Sequence, residues 1–368
     1  MKRTVHIARV VVAGILFVVV LEVCARLDDY FAFCAPILGV YSNENLYEND
    51  QLGQRGRPFA RYRKFQLNEF GYRGPQFEKD TVHLVTFGSS ETFGLYESDD
   101  NEYPRQLERE LNAYAGKARY QVINVAYPGL TLATATLRIP EIVARTHPKI
   151  ALIYPSPAFY IDTPPWHLGK GAQEKKQSVF EFRINDRLRS VGKTALPECV
   201  QTSLRRWEIR RSIGPEPVMD RVPEEAVTRF RKDLIEMITA LRANSVQPIL
   251  MTHATIFGAA PKQPDRAMLV AWRKFYPKLK EEGFLDLERR MNEAIRQLAM
   301  QQNVTLVDIA REIPPGQEYF ADFVHFSDAG AALMAKRLAE AIEPLLRRSP
   351  YQNARGRLPH HRVGVVSR

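Results

Sequence analysis

Cysteine is scarce in this chain, with 3 residues among 368, so no disulfide framework can define the fold. Cys24 lies in an apolar N-terminal segment, which leaves Cys34 and Cys199 as the only pair that could join after export, and the sequence leaves that pairing open. Asp322 and His325, three positions apart, have a spacing that suggests metal ligands, but no further His or carboxylate cluster accompanies them. This argues against a metal-dependent hydrolase, and we expect no cofactor.

Acidic residues are outnumbered, because 52 Lys and Arg stand against 42 Asp and Glu, a formal net charge of +10. The basic residues are scattered, with higher density at 55–64, 183–211 and 347–368. Walker loops, zinc-finger spacings and RNP-type aromatic strands are missing, so we expect no nucleic-acid partner. The excess charge fits a solvated surface, or one that meets anionic lipid headgroups or an acidic polysaccharide.

The clearest targeting feature lies at the N-terminus. Lys2, Arg3 and Arg9 precede an uninterrupted apolar run at 10–21. Twelve helical residues cover about 18 Å of a hydrocarbon core of about 30 Å, so the flanking turns must contribute if the run spans a membrane. We interpret residues 1–27 as a signal anchor or a signal peptide. The positive flank predicts an inner-membrane anchor with the rest of the chain on the periplasmic or extracytoplasmic side.

The remaining chain divides by pattern into four stretches. Residues 28–80 predict an extended lead-in of short strands and turns, and 81–347 alternate strands with helices, which is typical of a doubly wound parallel α/β sheet. Proline-rich or aromatic insertions interrupt the alternation at about 155–222 and 258–282. The basic tail, 348–368, is predicted to be disordered. Five apolar segments are the strand candidates: 82–87, 120–125, 150–154, 248–252 and 304–309.

The first of these strands ends in a turn that presents a serine. Val82–Phe87 is an apolar run with β-branched content, as expected for a buried parallel strand, and Gly88 interrupts it. A glycine permits a sharp turn at the carboxyl edge of the sheet, which would lift the hydroxyl of Ser90 off that edge. Ser90 is therefore the candidate nucleophile.

The candidate base and its orienting carboxylate lie far downstream, in ADFVHFSDAG at 321–330. Asp322 and His325 are three residues apart, just before a helix that Ser327 can cap. One short loop would thus bring both groups to the sheet edge that carries Ser90. There the imidazole can accept the serine proton, and the carboxylate can fix the imidazole tautomer.

With these motifs the chain resembles the SGNH/GDSL hydrolase superfamily. The first family motif appears as Gly88–Ser90 with Gly94, and the last as Asp322 and His325. The resemblance implies a three-layer α/β/α fold with a five-stranded, mostly parallel sheet. It also implies Ser90 as nucleophile, His325 as base and Asp322 as orienter. The backbone N–H groups of Ser90 and Gly129, the latter in NVAYPG, are the implied oxyanion donors.

Two positions depart from the family pattern. The motif that supplies an oxyanion asparagine falls at 154–158, where no asparagine stands, so Ser156 is a third candidate donor. Ser89 replaces the usual aspartate. We interpret Asn124, at the end of the second strand, as a side chain that holds its turn. His253, after the fourth strand, is interpreted as a structural histidine with substrate contact as the alternative.

The resemblance implies an exported serine enzyme that acts on acyl esters through an acyl-Ser90 intermediate. Its substrates are expected to be acylated carbohydrates, above all O-acetyl groups of an envelope or secreted polysaccharide. Esterase and O-acetyltransferase share the first half of this reaction, so both remain open. The alternative is an inactive protein of the same fold that binds glycan or scaffolds a polysaccharide-export assembly in the envelope.

Overall fold

Five parallel strands form the sheet on which the fold is built. The computed structural model describes residues 2–116, 119–161, 182–213, 217–259 and 265–348. Four short strands come before the sheet: β1 (Tyr47–Asp50), β2 (Gly53–Gly56), β3 (Arg61–Tyr62) and β4 (Phe65–Gln66). The sheet itself contains β5 (Val82–Phe87), β6 (Tyr120–Asn124), β7 (Ile150–Ile153), β8 (Gln247–Met251) and β9 (Thr305–Val307). Its strand order is β6-β5-β7-β8-β9, and all four pairings are parallel. The predicted doubly wound α/β sheet is therefore confirmed.

Helices cover both faces of this sheet and complete the predicted three-layer α/β/α arrangement. The helices in the described residues are α1 (Lys2–Phe33), α2 (Ser90–Phe93), α3 (Tyr103–Ala115), α4 (Leu132–Thr146), α5 (Ile184–Ala195), α6 (Glu198–Ser212), α7 (Glu224–Ala243), α8 (Arg266–Arg273), α9 (Glu281–Gln301), α10 (Ile309–Glu312) and α11 (Asp328–Arg348). Helices α3 and α11 pack against each other, while α4 packs against α7 and α7 against α9 to form the other layer. The inward faces are apolar, and the central strands β7 and β8 are almost fully buried, as parallel strands covered on both faces must be.

The strand order places a crevice at the carboxyl end of the sheet. The chain runs from β5 outward to β6 and then returns to β7 on the other side of β5. The loops after β5 and β7 therefore leave the sheet in different directions, and the gap between them is where doubly wound sheets bind ligands. Ser90 follows β5, and Ser156 follows β7.

Helix α1 is exposed along its apolar first part, whereas Glu22, Arg26 and Asp29 near its end are buried against the rest of the chain. It continues to Phe33, past the predicted end of the targeting segment at Leu27. Its segment Arg9–Phe33 is, in the described chain, the helix long and apolar enough to cross a membrane, and a signal sequence near the N-terminus would have the same properties. Most of its apolar side chains are exposed; Val10, for example, is 71% exposed.

The two predicted insertions contain regular structure where they are described. A 3-10 helix (Pro157–Tyr160) and helices α5 and α6 lie in the first, and α8 lies in the second. Cys24, Cys34 and Cys199 are free thiols. The basic tail predicted to be disordered lies, from residue 349 onward, outside the described residues.

Candidate active site

The turn after β5 places Ser90 at the N-terminus of the one-turn helix α2. Gly88 is needed there for reasons of space, because a Cβ at this position would lie 2.0 Å from Oγ1 of Thr92. The helix ends at Gly94, whose φ of +79° is the left-handed conformation that glycine adopts without strain. A tight turn with glycine at both ends thus fixes the backbone around Ser90.

Arg73 of the lead-in holds this turn from outside. Its guanidinium donates to the carbonyl oxygens of Phe93 and Gly94, the latter at 2.7 Å, and pairs with Glu102 at 3.2 Å. The side chains of Arg73 and Glu102 are 3% and 2% exposed, so this ion pair is buried. The segment before the sheet therefore contributes directly to the shape of the site.

His325 and Asp322 come together in the loop before α11. Nδ1 of His325 lies 2.8 Å from Oδ2 of Asp322, and the other carboxylate oxygen accepts the backbone N–H of His325 at 2.9 Å. Ser327 caps the helix by accepting the N–H of Gly330 at 3.2 Å. Burial lowers the pKa of His325, but the hydrogen bond and charge of Asp322 outweigh it and raise the pKa above its usual value.

Ser90 and His325 are not hydrogen-bonded to each other in this structure. Oγ of Ser90 donates instead to Oε2 of its neighbour Glu91 at 3.2 Å. Nε2 of His325 is buried and has no hydrogen-bond partner among the described residues. An imidazole whose Nδ1 faces a carboxylate and whose Nε2 is unoccupied has the arrangement that a general base requires.

A buried charge network lies behind the serine. Oε1 of Glu91 accepts the hydroxyl of Ser156 at 2.8 Å and faces Nε2 of His253 at 3.4 Å. Nδ1 of His253 lies 2.9 Å from Glu288, and the backbone of His253 exchanges two hydrogen bonds with Asn292. His253 is therefore held on every polar atom, which is the structural role interpreted from the sequence.

The charges in this network are shared unequally. Burial alone would lower the pKa of His253, but Glu288 and Glu91 raise it to about 10, so the imidazole is cationic at neutral pH. Burial raises the pKa of Glu91, yet the hydrogen bond and charge of His253, with a contribution from His325, lower it to about 2. For Glu288 burial dominates and raises the pKa, and its Oε1 has no hydrogen-bond partner among the described residues.

The candidate oxyanion donors are partly engaged inside the protein. The N–H of Gly129 donates to Oγ of Ser89 at 3.0 Å. The hydroxyl of Ser156 is committed to Glu91. Asn124 holds its turn, as interpreted from the sequence, because its amide donates to the carbonyl of Thr92 at 2.8 Å and accepts the N–H of Ala126.

A protein-family model matches most of the fold just described. The family model of GDSL-like lipases and acylhydrolases matches residues 84–338, which is more than half of the chain. The chain belongs to this family. Its matched region begins in β5, before Ser90, and ends in α11, after His325.

Solved structures of GDSL-type enzymes resemble this family member at low identity. A lipase/acylhydrolase from Enterococcus faecalis is 17% identical and has a TM-score of 0.43, with 72% of this chain and 97% of that chain covered. A psychrotrophic esterase, EstA from Pseudoalteromonas sp., is 12% identical with a TM-score of 0.41, and 72% and 99% are covered. A GDSL-like lipase from Bacteroides thetaiotaomicron is 15% identical with a TM-score of 0.40, and 74% and 92% are covered. No curated protein sequence matches the chain.

Sequence reasoning missed two members of this GDSL-like site, Glu91 and Glu288. The position of Glu91 directly after the candidate nucleophile could have identified it from the sequence. Glu288 could have been identified because it lies four residues after Phe284, on the buried face of α9, where an ionisable side chain needs a partner. Among the described residues, no three His, Cys, Asp or Glu side chains come together as metal ligands would.

Proposed function

We propose that this GDSL-family protein is a serine-dependent acyl-ester hydrolase or acyltransferase in which Ser90, His325 and Asp322 act as the catalytic triad. The observation that supports it most directly is His325, with Nδ1 on Asp322 at 2.8 Å and a buried Nε2 that has no partner in the described chain. In this arrangement Nε2 can accept the proton of a reacting hydroxyl while Asp322 holds the other ring nitrogen.

The reaction begins with the release of Ser90 from Glu91. Rotation about the Cα–Cβ bond carries Oγ of Ser90 toward Nε2 of His325, which accepts its proton as Oγ attacks the ester carbonyl carbon. Asp322 keeps the proton on Nδ1 and stabilises the imidazolium. The C–O bond to the leaving alcohol then breaks, and His325 returns the proton to that alcohol. Water or a sugar hydroxyl attacks acyl-Ser90 by the same steps in reverse.

The base in this scheme is His325 and not the nearer Glu91. Glu91 accepts the Ser90 hydroxyl at 3.2 Å, but its pKa is held at about 2, so it takes up a proton only very weakly at neutral pH. The raised pKa of His325 suits a base that must accept a proton and return it. Glu91 therefore orients the resting hydroxyl.

The oxyanion is stabilised by the N–H groups of Ser90 and Gly129. The N–H of Gly129 donates in the resting site to Ser89, whose hydroxyl is a neutral acceptor. An oxyanion is a stronger acceptor than a hydroxyl, so the substrate oxygen would displace Ser89 from this donor. Ser156 stays with the ionised Glu91, which is itself a strong acceptor.

An acylated polysaccharide of the cell envelope is the proposed substrate, with O-acetyl groups as the ester. The apolar helix at Arg9–Phe33 would place the enzyme at the inner membrane, and the basic residues before it favour an extracytoplasmic hydrolase domain. The positive net charge of the chain suits an acidic glycan. Envelope polysaccharide machinery is the proposed partner at that place.

Acyl trapping tests the chemistry. The purified full chain is treated with an activated acetyl ester, digested, and searched by mass spectrometry for an acetyl adduct. We expect the adduct on Ser90 in the wild type, none at that position in Ser90→Ala, and full labelling in Ser98→Ala, which removes an exposed serine from the loop after α2. Addition of sugar alcohols then separates the two activities, since an acyltransferase forms acetylated sugar and an esterase forms acetate.

A folded protein without label on Ser90 would contradict the proposal. Glycan binding that survives Ser90→Ala, without turnover of any acetyl ester, would instead favour a binding or scaffolding protein. The engaged state of Ser90 and Gly129 is the observation that keeps this second function worth testing.

A further inference from the structure

Helices α5 and α6 expose apolar side chains that the hydrolase site does not use. Leu188 and Val191 on α5 are 59% and 62% exposed. On α6, Val200, Leu204 and Trp207 follow each other at spacings of four and three and are 39%, 49% and 50% exposed, so they share one face. We call these five residues the α5–α6 surface. An exposed apolar face on two successive helices indicates a contact with something apolar.

The beginning of α5 is attached to helix α1. The carboxylate of Glu22 accepts the backbone N–H groups of Arg183 and Ile184 at 3.2 and 3.1 Å. Arg187 pairs with Asp29 at 2.9 Å and with Asp28. Glu22 directly follows the long apolar run of α1, so these contacts hold α5 at the level where that run ends.

Helix α6 is attached to the hydrolase domain instead. Ile209 is buried on its inner side, at 4% exposure, and Glu208 pairs with Lys274 at 2.7 Å. The two helices therefore connect the end of the apolar helix to the body of the enzyme. Their exposed apolar residues lie along this connection.

The same two helices are strongly basic. The segment 182–213 contains eight Lys and Arg against three Asp and Glu. The guanidinium of Arg211 lies 4.4 Å from the ring centre of Trp207, so a positive charge accompanies the largest exposed ring. Apolar side chains, a tryptophan and arginines on one exposed helix are the composition of helices that lie in the headgroup region of anionic membranes.

We propose that the α5–α6 surface lies in the headgroup region of an anionic bilayer and holds the hydrolase domain against the membrane that α1 enters. The proposal rests on the membrane placement given above. Continuity with α1 and the basic charge favour a lipid surface over a partner protein. The enzyme would then act on substrate close to the membrane and not at the end of a free tether.

Tryptophan fluorescence in lipid vesicles tests this directly. The full chain carrying Trp166→Phe is reconstituted in phosphatidylcholine vesicles with or without phosphatidylglycerol, with bromine on the acyl chains as quencher. Trp272 is 1% exposed and supplies a constant background, which the additional Trp207→Phe variant measures. We expect the Trp207 emission to fall about two-fold in the anionic vesicles and less in the neutral ones, because the charge contributes to binding.

A matched pair of variants checks the surface itself. Val200→Glu with Leu204→Glu should restore the Trp207 emission, whereas Met300→Glu, at a side chain 78% exposed on α9, should leave the quenching unchanged. Resistance to carbonate extraction reports separately on α1, and ester turnover reports on the proposed reaction. Trp207 emission that brominated anionic lipid leaves unchanged would overturn the proposal, whether or not α1 is anchored, and would direct attention to a protein partner.

Discussion

Replacement of Glu91 by glutamine tests the buried network behind the nucleophile. The variant keeps the shape of the side chain and removes its charge. Glu91 faces the cationic His253 at 3.4 Å and accepts the hydroxyl of Ser156 at 2.8 Å. Both groups contact Oε1, so the oxygen of a glutamine can still face them, but without the negative charge, and its N–H₂ group replaces the Oε2 that accepts from Ser90. We expect a large loss of stability, since removal of one partner leaves a buried charge less well compensated.

The magnitude follows from the pKa of His253. The pKa of His253 rises from its usual 6.5 to about 10 although burial lowers it, so the two carboxylates together contribute at least roughly 5 kcal/mol, at about 1.4 kcal/mol for each pH unit. If Glu91 and Glu288 share it, Glu91 accounts for about half. The weakened hydrogen bond from Ser156 adds about 1 kcal/mol. Glu91→Gln should thus lower the free energy of unfolding by about 3 kcal/mol.

The effect should depend on pH in a defined way. The raised pKa of His253 contributes stability that is fully present below pH 6.5 and is lost as the pH rises through about 10. The depressed pKa of Glu91 contributes stability that is present above pH 4.5 and is lost as the pH falls through about 2. The difference between wild type and variant is therefore largest between pH 4.5 and 6.5.

Urea unfolding of the full chain in mild detergent, followed by circular dichroism from pH 5 to 10, measures this difference. The matched control is Glu293→Gln on α9, where the carboxylate is 54% exposed and the change should stay within about 0.5 kcal/mol. A loss below about 1 kcal/mol at pH 6, or a loss that is the same at pH 6 and pH 10, would refute the assignment of a cationic His253 between two carboxylates.

Three further perturbations test the site. Asp322→Asn should slow hydrolysis of an acetyl ester about a thousandfold and move the acid limb of the pH–rate profile to lower pH, because His325 loses the group that raises its pKa. Arg73→Met should lower the free energy of unfolding by about 3 to 5 kcal/mol in urea, since it breaks a buried ion pair. Gly88→Ala should cost about 1 to 3 kcal/mol and reduce ester turnover, because its methyl group would meet Thr92 at 2.0 Å.

Exposed or uncrowded positions supply the controls for these variants. Asp220→Asn, at a side chain 80% exposed, should keep the wild-type pH profile, and Arg266→Met, 77% exposed, should change stability by less than about 0.5 kcal/mol. Gly14→Ala adds a methyl group with no atom within 4 Å. An unshifted acid limb for Asp322→Asn, or unfolding of Arg73→Met or Gly88→Ala at the wild-type urea concentration, would contradict the respective roles.

Much of the fold could be predicted because its signals are local. The five apolar segments became the five strands with small differences at their ends, since a strand covered on both faces must be apolar along its length. Proline and glycine marked several helix ends, and Ser327 was recognisable as a cap. The lead-in at 28–80 was harder to interpret, because Arg73 stabilises the Ser90 turn through hydrogen bonds to carbonyl groups about 20 residues further along the chain.

The sequence by itself determined the parallel α/β sheet, the serine presented after its first strand and the Asp-x-x-His loop before its last helix. Each depends on neighbours within a few positions, where periodicity and turn chemistry act. The tertiary structure decided which buried charges meet. Glu91, His253 and Glu288 are far apart in the chain and share no motif, and only the packing of α2, the loop after β8 and α9 brings them together. It also decided that Ser90 rests on Glu91, because side-chain partners depend on distances that no local pattern contains.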